Sequence, residues 1–171
     1  MHPRTRTVAT VLVAAIVASV LMWQQLHGGV PAHSFMARDD MPAISNWWGI
    51  LTLPLVTWLA LGSVTARVAR GDVTTRTASL SAVGAAIYGA ILATAFALGY
   101  SDIPRLQVSA APLLALAFPL YRAEYIWGFV LSLSYTFGGV LPLLIAGVLA
   151  LLGVVLHLGP RLLLRRFRMK D

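Results

Sequence analysis

The chain has 171 residues, 58% hydrophobic and 11% charged, with 13 basic against 6 acidic residues and a formal net charge of +7. A soluble domain carries about 25% charged residues, so a water-facing surface is excluded. The absence of cysteine removes disulfides, thiol nucleophiles, iron–sulfur clusters and cysteine-bound zinc. The basic residues gather at the ends of apolar runs, a placement that sets orientation at a lipid surface, and no nucleic acid partner is expected.

A hydrocarbon core about 30 Å thick takes roughly 20 helical residues to cross. Thr7 to Leu26, Met41 to Ala66 and Thr77 to Ser101 are uncharged and each reads as one span. Leu106 to Tyr121 is uncharged but short, and Tyr125 to Pro160 is too long for one straight crossing. Gly138-Gly139 followed by Pro142 divides the last run, since adjacent glycines favour a turn and proline suits a first helical turn. The sequence therefore predicts an all-α, polytopic transmembrane bundle of about six spans in a single domain, 1–171. The spans lie near 7–26, 43–68, 77–100, 106–121, 125–138 and 140–158, with a basic tail over 159–171.

Charge orients this arrangement. With both termini cytoplasmic, Arg4, Arg6, Arg67, Arg70, Arg76, Arg122, Arg161, Arg165, Arg166, Arg168 and Lys170 share the cytoplasmic side, and only Arg38 and Arg105 lie outside. Five spans would put the basic tail outside, against the positive-inside rule. Trp23, Trp47, Trp48, Tyr100 and Tyr135 then fall near the outer boundary, and Tyr121, Tyr125 and Trp127 near the inner one, where amphipathic rings settle. The localisation implied is a bacterial cytoplasmic (inner) membrane, with the 27–46 loop outside. Val30-Pro31-Ala32 resembles a signal cleavage site, but the apolar run before it exceeds the usual 7–15 residues, and the first span reads as retained.

The third span carries Ala85, Gly89, Ala93 and Ala97 at spacing four, a seam for close helix packing and the first place to look for a subunit contact. Trp48-Gly49-Ile50-Leu51 and Trp127-Gly128-Phe129-Val130 form a faint echo between the two halves, as an inverted repeat would.

Candidate sites fall in two places. The outer loop holds His27, His33, Asp39 and Asp40, whose nitrogen and oxygen donors suit a divalent metal with an open position for water. The competing account makes Asp40 an N-cap for the second helix and the histidines wetted loop residues. Ser34 with His33 and Asp39 supplies the residue types of a nucleophilic triad, without supporting context. Asn46, Trp47 and Trp48 stand at the mouth of the second span, as an interfacial anchor or as the wall of a pocket for an apolar ligand.

The other place is Tyr121-Arg122-Ala123-Glu124. It reads as a tight cytoplasmic turn in which Arg122 and Glu124 can pair. Alternatively, 106–138 is a re-entrant hairpin that carries those charges to membrane depth, where they would be functional. The basic tail, with its apolar face, should lie on anionic lipid.

Two functions follow as expectations. The first is a small-solute or lipid-handling permease, or an accessory subunit, associating as a homodimer or with a larger membrane partner. The alternative is a membrane-embedded enzyme, metal-dependent or proton-shuttling. Its site would lie at the outer face around the 27–48 loop, with His33, Asp39 and Asp40 in catalysis and Asn46, Trp47, Trp48 and Tyr121 against the ligand. Glu124 in catalysis and Arg122 at the ligand would join only if the re-entrant hairpin forms.

Overall fold

The computed structural model describes residues 3–34 and 43–168, with the backbone alone for Pro3, His33, Ser34, Leu158 and 160–168. Six α-helices follow one another: α1 (Pro3–Leu26), α2 (Gly49–Ala69), α3 (Thr75–Ala97), α4 (Asp102–Ala117), α5 (Ala123–Phe137) and α6 (Val140–Arg168). Between α1 and α2, the strands β1 (Ala32–Ser34) and β2 (Ala43–Ser45) pair antiparallel, with His33 opposite Ile44. Four of the helical segments, Arg4–Leu26, Asn46–Ala69, Thr75–Ala97 and Val140–His157, are long and apolar enough to cross a membrane. α4 and α5, at 16 and 15 residues, fall below the usual 17–25.

Local chemistry explains where these boundaries depart from the uncharged runs. The second helix begins at Gly49 rather than near 43, because residues 43–45 form β2 and Asn46–Trp48 form a 3-10 turn. The Ser45 side chain accepts from the Trp47 N–H at the start of that turn. The N-cap position of α2 is Trp48, and the expected cap, Asp40, lies outside the described residues. α4 starts at Asp102, ahead of the uncharged run, since an acidic first turn suits the positive end of the helix dipole. It stops at Ala117 because Pro119 holds Phe118 extended, with ψ 143°. α3 is capped by Thr74, whose hydroxyl accepts from the Thr77 N–H at 3.1 Å. The expected break at Gly138-Gly139 is present: Gly138 adopts φ 71°, a conformation that favours glycine. α6 continues through Pro160 to Arg168, so the stretch to 168, expected as a separate tail, prolongs the last helix.

Contacts fix the relative directions of the helices. α2 and α5 are antiparallel: Gly49 approaches Gly139 at one end, and Arg67 meets Glu124 at the other. We call these the hairpin end and the arginine end. Gly49 to Arg67 rises about 27 Å at 1.5 Å per residue, so α5, though short, runs between both ends of α2. α3 is parallel to α5, with Ala82 beside Gly128, Gly89 beside Ser132, and the Phe96 and Phe137 rings 4.7 Å apart. α1 lies against α2 with Arg6 at Trp58, and α6 returns beside the chain at Leu120–Tyr121.

The tightest seam joins α3 and α5. Ala78, Ala82, Gly89 and Ala93 are buried on α3, and Gly128 is buried on α5. A Cβ on Gly128 would strike the Ala82 carbonyl, and one on Gly89 would strike the Ser132 hydroxyl. Small residues here let two backbones touch. The seam differs from the expected stripe: Gly89 and Ala93 belong to it, Ala97 is exposed, and it is filled by α5 of the same chain instead of awaiting a second subunit. The core gathers around α5, with Val130 and Leu133 fully buried beside Leu53, Ala93, Phe129 and Ala146. The halves do not pack as an inverted repeat would require, since α3 meets α5 extensively and α6 has no matching seam with α2.

Candidate functional site

Glu124 is 3% exposed and both its oxygens lie 2.8 Å from Nη1 of Arg67. The pair joins the last turn of α2 to the first turn of α5, 57 positions away in sequence. It replaces the expected Arg122–Glu124 contact. Two residues apart, those side chains diverge once α5 begins at Ala123. Arg122 is half-buried ahead of α5, where its carbonyl accepts from the Tyr125 and Ile126 N–H groups.

Deeper in the bundle, three residues on along α5 and ten back along α2, a second polar contact joins the same helices. Trp127 Nε1 donates to the fully buried Thr57 hydroxyl at 3.0 Å, and that hydroxyl donates to the Leu53 carbonyl at 2.8 Å. Trp127 therefore faces the bundle interior, not the lipid boundary expected for it. At the hairpin end, the buried Asn46 packs on Gly138, where a Cβ would strike Asn46 Oδ1. On the outside of α2, Arg6 of α1 lies 3.7 Å over the Trp58 ring and donates to the Trp58 carbonyl at 2.8 Å.

A cavity of about 460 Å³ opens among α3, α4, α5 and α6. Its origin is visible in how α3 and α4 are joined. Tyr88 donates from its hydroxyl to the Gln107 carbonyl at 2.6 Å, and Gln107 Nε2 donates to the Tyr88 carbonyl at 3.0 Å. Beyond this reciprocal clasp, toward the arginine end, the cavity lies between the two helices. One wall is the α3 stripe of Thr77, Leu80, Ser81, Gly84, Ala85 and Tyr88, and the facing wall is Ala111, Leu114 and Phe118. Tyr125, Ile126 and Phe129 of α5 close one side, and Ala146 and Leu149 of α6 another. The lining is apolar over most of its length. Polar groups collect toward the arginine end, where Ser81 donates to the Tyr125 hydroxyl at 3.2 Å. The volume falls within the usual range for small-molecule sites, about 300–1,000 Å³.

The residues singled out by sequence do not converge here. His27 is exposed, stacked on Trp23 at 4.6 Å, with its Nδ1 2.8 Å from the Trp23 carbonyl. The His33 backbone belongs to β1. Arg38, Asp39 and Asp40 lie outside the described residues. Among the described residues, no three of His, Cys, Asp and Glu form a group that could hold a metal ion. Trp47 and Trp48 are exposed while Asn46 is buried. The Tyr121 ring sits 6.1 Å from the His157 ring, at the arginine end. Sequence reasoning missed Ser81, Tyr88, Gln107 and Tyr125. For the two on α3 a signal existed: Thr77, Ser81 and Tyr88 recur at helical spacing on one side of that helix. Compared with known protein families, curated proteins and solved structures, the chain matches none.

Proposed function

We propose that this protein is a six-span membrane protein of the lipid-handling kind, which receives an apolar chain in the cavity between α3 and α4. The cavity is the observation that carries the reading. It is lined mainly by aliphatic and aromatic side chains, with Thr77, Ser81 and Tyr125 toward one end. It would open toward the leaflet on the side of Arg67 and Glu124.

Several features support membrane insertion with both termini in the cytosol. Large apolar side chains stand exposed around the bundle, among them Val11, Ile16, Leu51, Leu80, Leu106 and Leu151. Such a surface suits lipid and would associate in water. α5 runs between both ends of α2, which favours two crossings by α4 and α5 over a re-entrant hairpin. The arginine end holds Arg67, Arg70 and Arg76, and the positive-inside rule makes it cytoplasmic. Anionic lipid at residues 161–170, and a bacterial cytoplasmic membrane as the location, are part of the same proposal.

Two experiments test it. The natural chain has no cysteine, so single replacements report cleanly. Asp102→Cys should react with an impermeant maleimide on intact cells, and Thr75→Cys only after permeabilisation. Reaction of Thr75→Cys from outside would overturn the orientation. For the cavity, Gly84 is one of its lining residues and a Cβ there meets nothing within 4 Å, so Gly84→Phe is the substitution chosen to obstruct it. Native mass spectrometry of protein extracted in mild detergent should show bound lipid in the natural chain and in the control Gly147→Phe. The lipid should be absent from Gly84→Phe. Equal lipid retention in all three would refute the cavity as the site.

A further inference from the structure

Resting on the lipid-binding reading, we infer that the cavity selects an acyl chain with an anionic head, held by Arg76 and Arg122. The argument begins with charge that is left over. At the arginine end, Arg67 is paired with Glu124, and Arg70 with Asp72 at 2.9 Å. Both nearby carboxylates are thus neutralised. Among the described residues, neither Arg76 nor Arg122 has a side-chain hydrogen bond or ion pair.

Their positions relate them to the cavity. Arg76 is four residues before Leu80 and eight before Gly84, both of which line it. Residues at spacing four share a helix face, so Arg76 continues the lining stripe by one turn toward the arginine end. Arg122 lies between Leu120 and Tyr125, which also line the cavity, and it is half-buried. The two cations therefore flank the polar end of an apolar slot. Thr77, Ser81 and Tyr125 add hydroxyl groups at that same end. A carboxylate or phosphate monoanion fits this set, since guanidinium groups bind such oxygens by charge-assisted hydrogen bonds. A neutral head would forgo the charge-assisted contacts to both.

Equilibrium binding to the purified full chain in neutral detergent separates the possibilities. The probes are oleate, oleyl alcohol and one-chain oleoyl lysophosphatidylglycerol. Oleate and the lysophospholipid differ in the source of the anion, and the tighter of the two identifies it. The double variant Arg76→Gln/Arg122→Gln should weaken the tighter anionic probe by at least about tenfold, the loss of a hydrogen bond to a charged group. Oleyl alcohol binding should not change. Gly84→Phe should abolish binding of all three.

If oleyl alcohol binds as tightly as the anionic probes, and all are lost in Gly84→Phe, the anionic-head inference fails while the lipid-binding reading stands. If no probe binds, or Gly84→Phe binds normally, the reading itself falls. If the double variant elutes as an aggregate, the single variants Arg76→Gln and Arg122→Gln carry the test. Each should weaken the tighter anionic probe and leave oleyl alcohol unchanged, and undiminished anion binding in both would overturn the inference.

Discussion

Removing Arg67 should damage this protein more than removing Glu124, and removing both should damage it least. The reason is the unequal burial of the partners, with side chains 15% and 3% exposed respectively. Charge centres about 4 Å apart interact by about 4 kcal/mol at an effective dielectric constant of 20. Breaking a buried pair from one side typically costs about 3–5 kcal/mol, because the surviving charge stays desolvated. Arg67→Met leaves Glu124 in that position, enclosed at the first turn of α5, and should reach this range. Glu124→Leu leaves Arg67 near the end of α2, where its long stem can carry the guanidinium outward, so its cost should be smaller. In the double variant, two apolar side chains replace the pair, a change that is often neutral or stabilising. Reversible unfolding in mixed micelles, followed by circular dichroism, gives the three free energies. A double variant whose loss equals the sum of the single losses would refute a desolvated pair. So would Glu124→Leu proving the worse of the two single variants.

Other substitutions test the packing. Gly128→Ala should destabilise by at least the 1–3 kcal/mol usual for overpacking, since its Cβ meets the Ala82 backbone. Gly62→Ala meets only the Arg6 guanidinium, nearest at 2.7 Å. That flexible group can move away, so the cost should be limited to the Arg6–Trp58 contact, about 0.5–1 kcal/mol for an exposed cation–π pair; unfolding midpoints in the same micelles compare the two variants directly. A double-mutant cycle of Thr57→Val and Trp127→Phe should give a coupling of about 0.6 kcal/mol, the average for interhelical hydrogen bonds in lipid. A coupling indistinguishable from zero would mean the indole does not rely on that hydroxyl.

Helix number and the Gly138-Gly139 break were legible in the sequence because apolar run length and glycine conformational freedom are local properties. The ends of α4 were not. Counting only uncharged residues excluded Asp102 and Arg105, although an acidic first turn is favourable for a helix. The partner of Glu124 was hidden for a different reason. Arg122 is its neighbour in the chain, but Arg67 is brought to it by the antiparallel course of α2 and α5, which no local spacing records. The seam on α3 was half legible: alanine and glycine at spacing four pointed to close packing. Which of two overlapping stripes meets α5 depends on helix rotation. The cavity was the least visible feature, because it arises where α3 and α4 stand apart, and sequence patterns report contacts more readily than gaps.

The two short helices and the cavity have a common physical origin. α5 is surrounded by α2, α3 and α6, and its ends are met by protein: Glu124 by Arg67, and Gly138 by Asn46. A helix solvated by protein need not match the thickness of the surrounding hydrocarbon, because its termini find polar partners inside the bundle. α4 is different. Leu106, Val108, Leu113 and Leu116 are exposed along its 16 residues, so one of its faces has no protein packed on it. It is clasped to α3 near its start by Gln107 and Tyr88, and turned back at Pro119 toward the first turn of α5. The chain must descend beside a longer α3, stay attached at the hairpin end, and still deliver Glu124 to Arg67. Helices of unequal length pinned at one end and redirected at the other leave space between them, and the space here is lined by Gly84, Ala85 and Ala111, residues too small to fill it. The Arg67–Glu124 pair joins α2 to α5 where the α4–α5 connection arrives, next to the cavity-lining Leu120 and Tyr125.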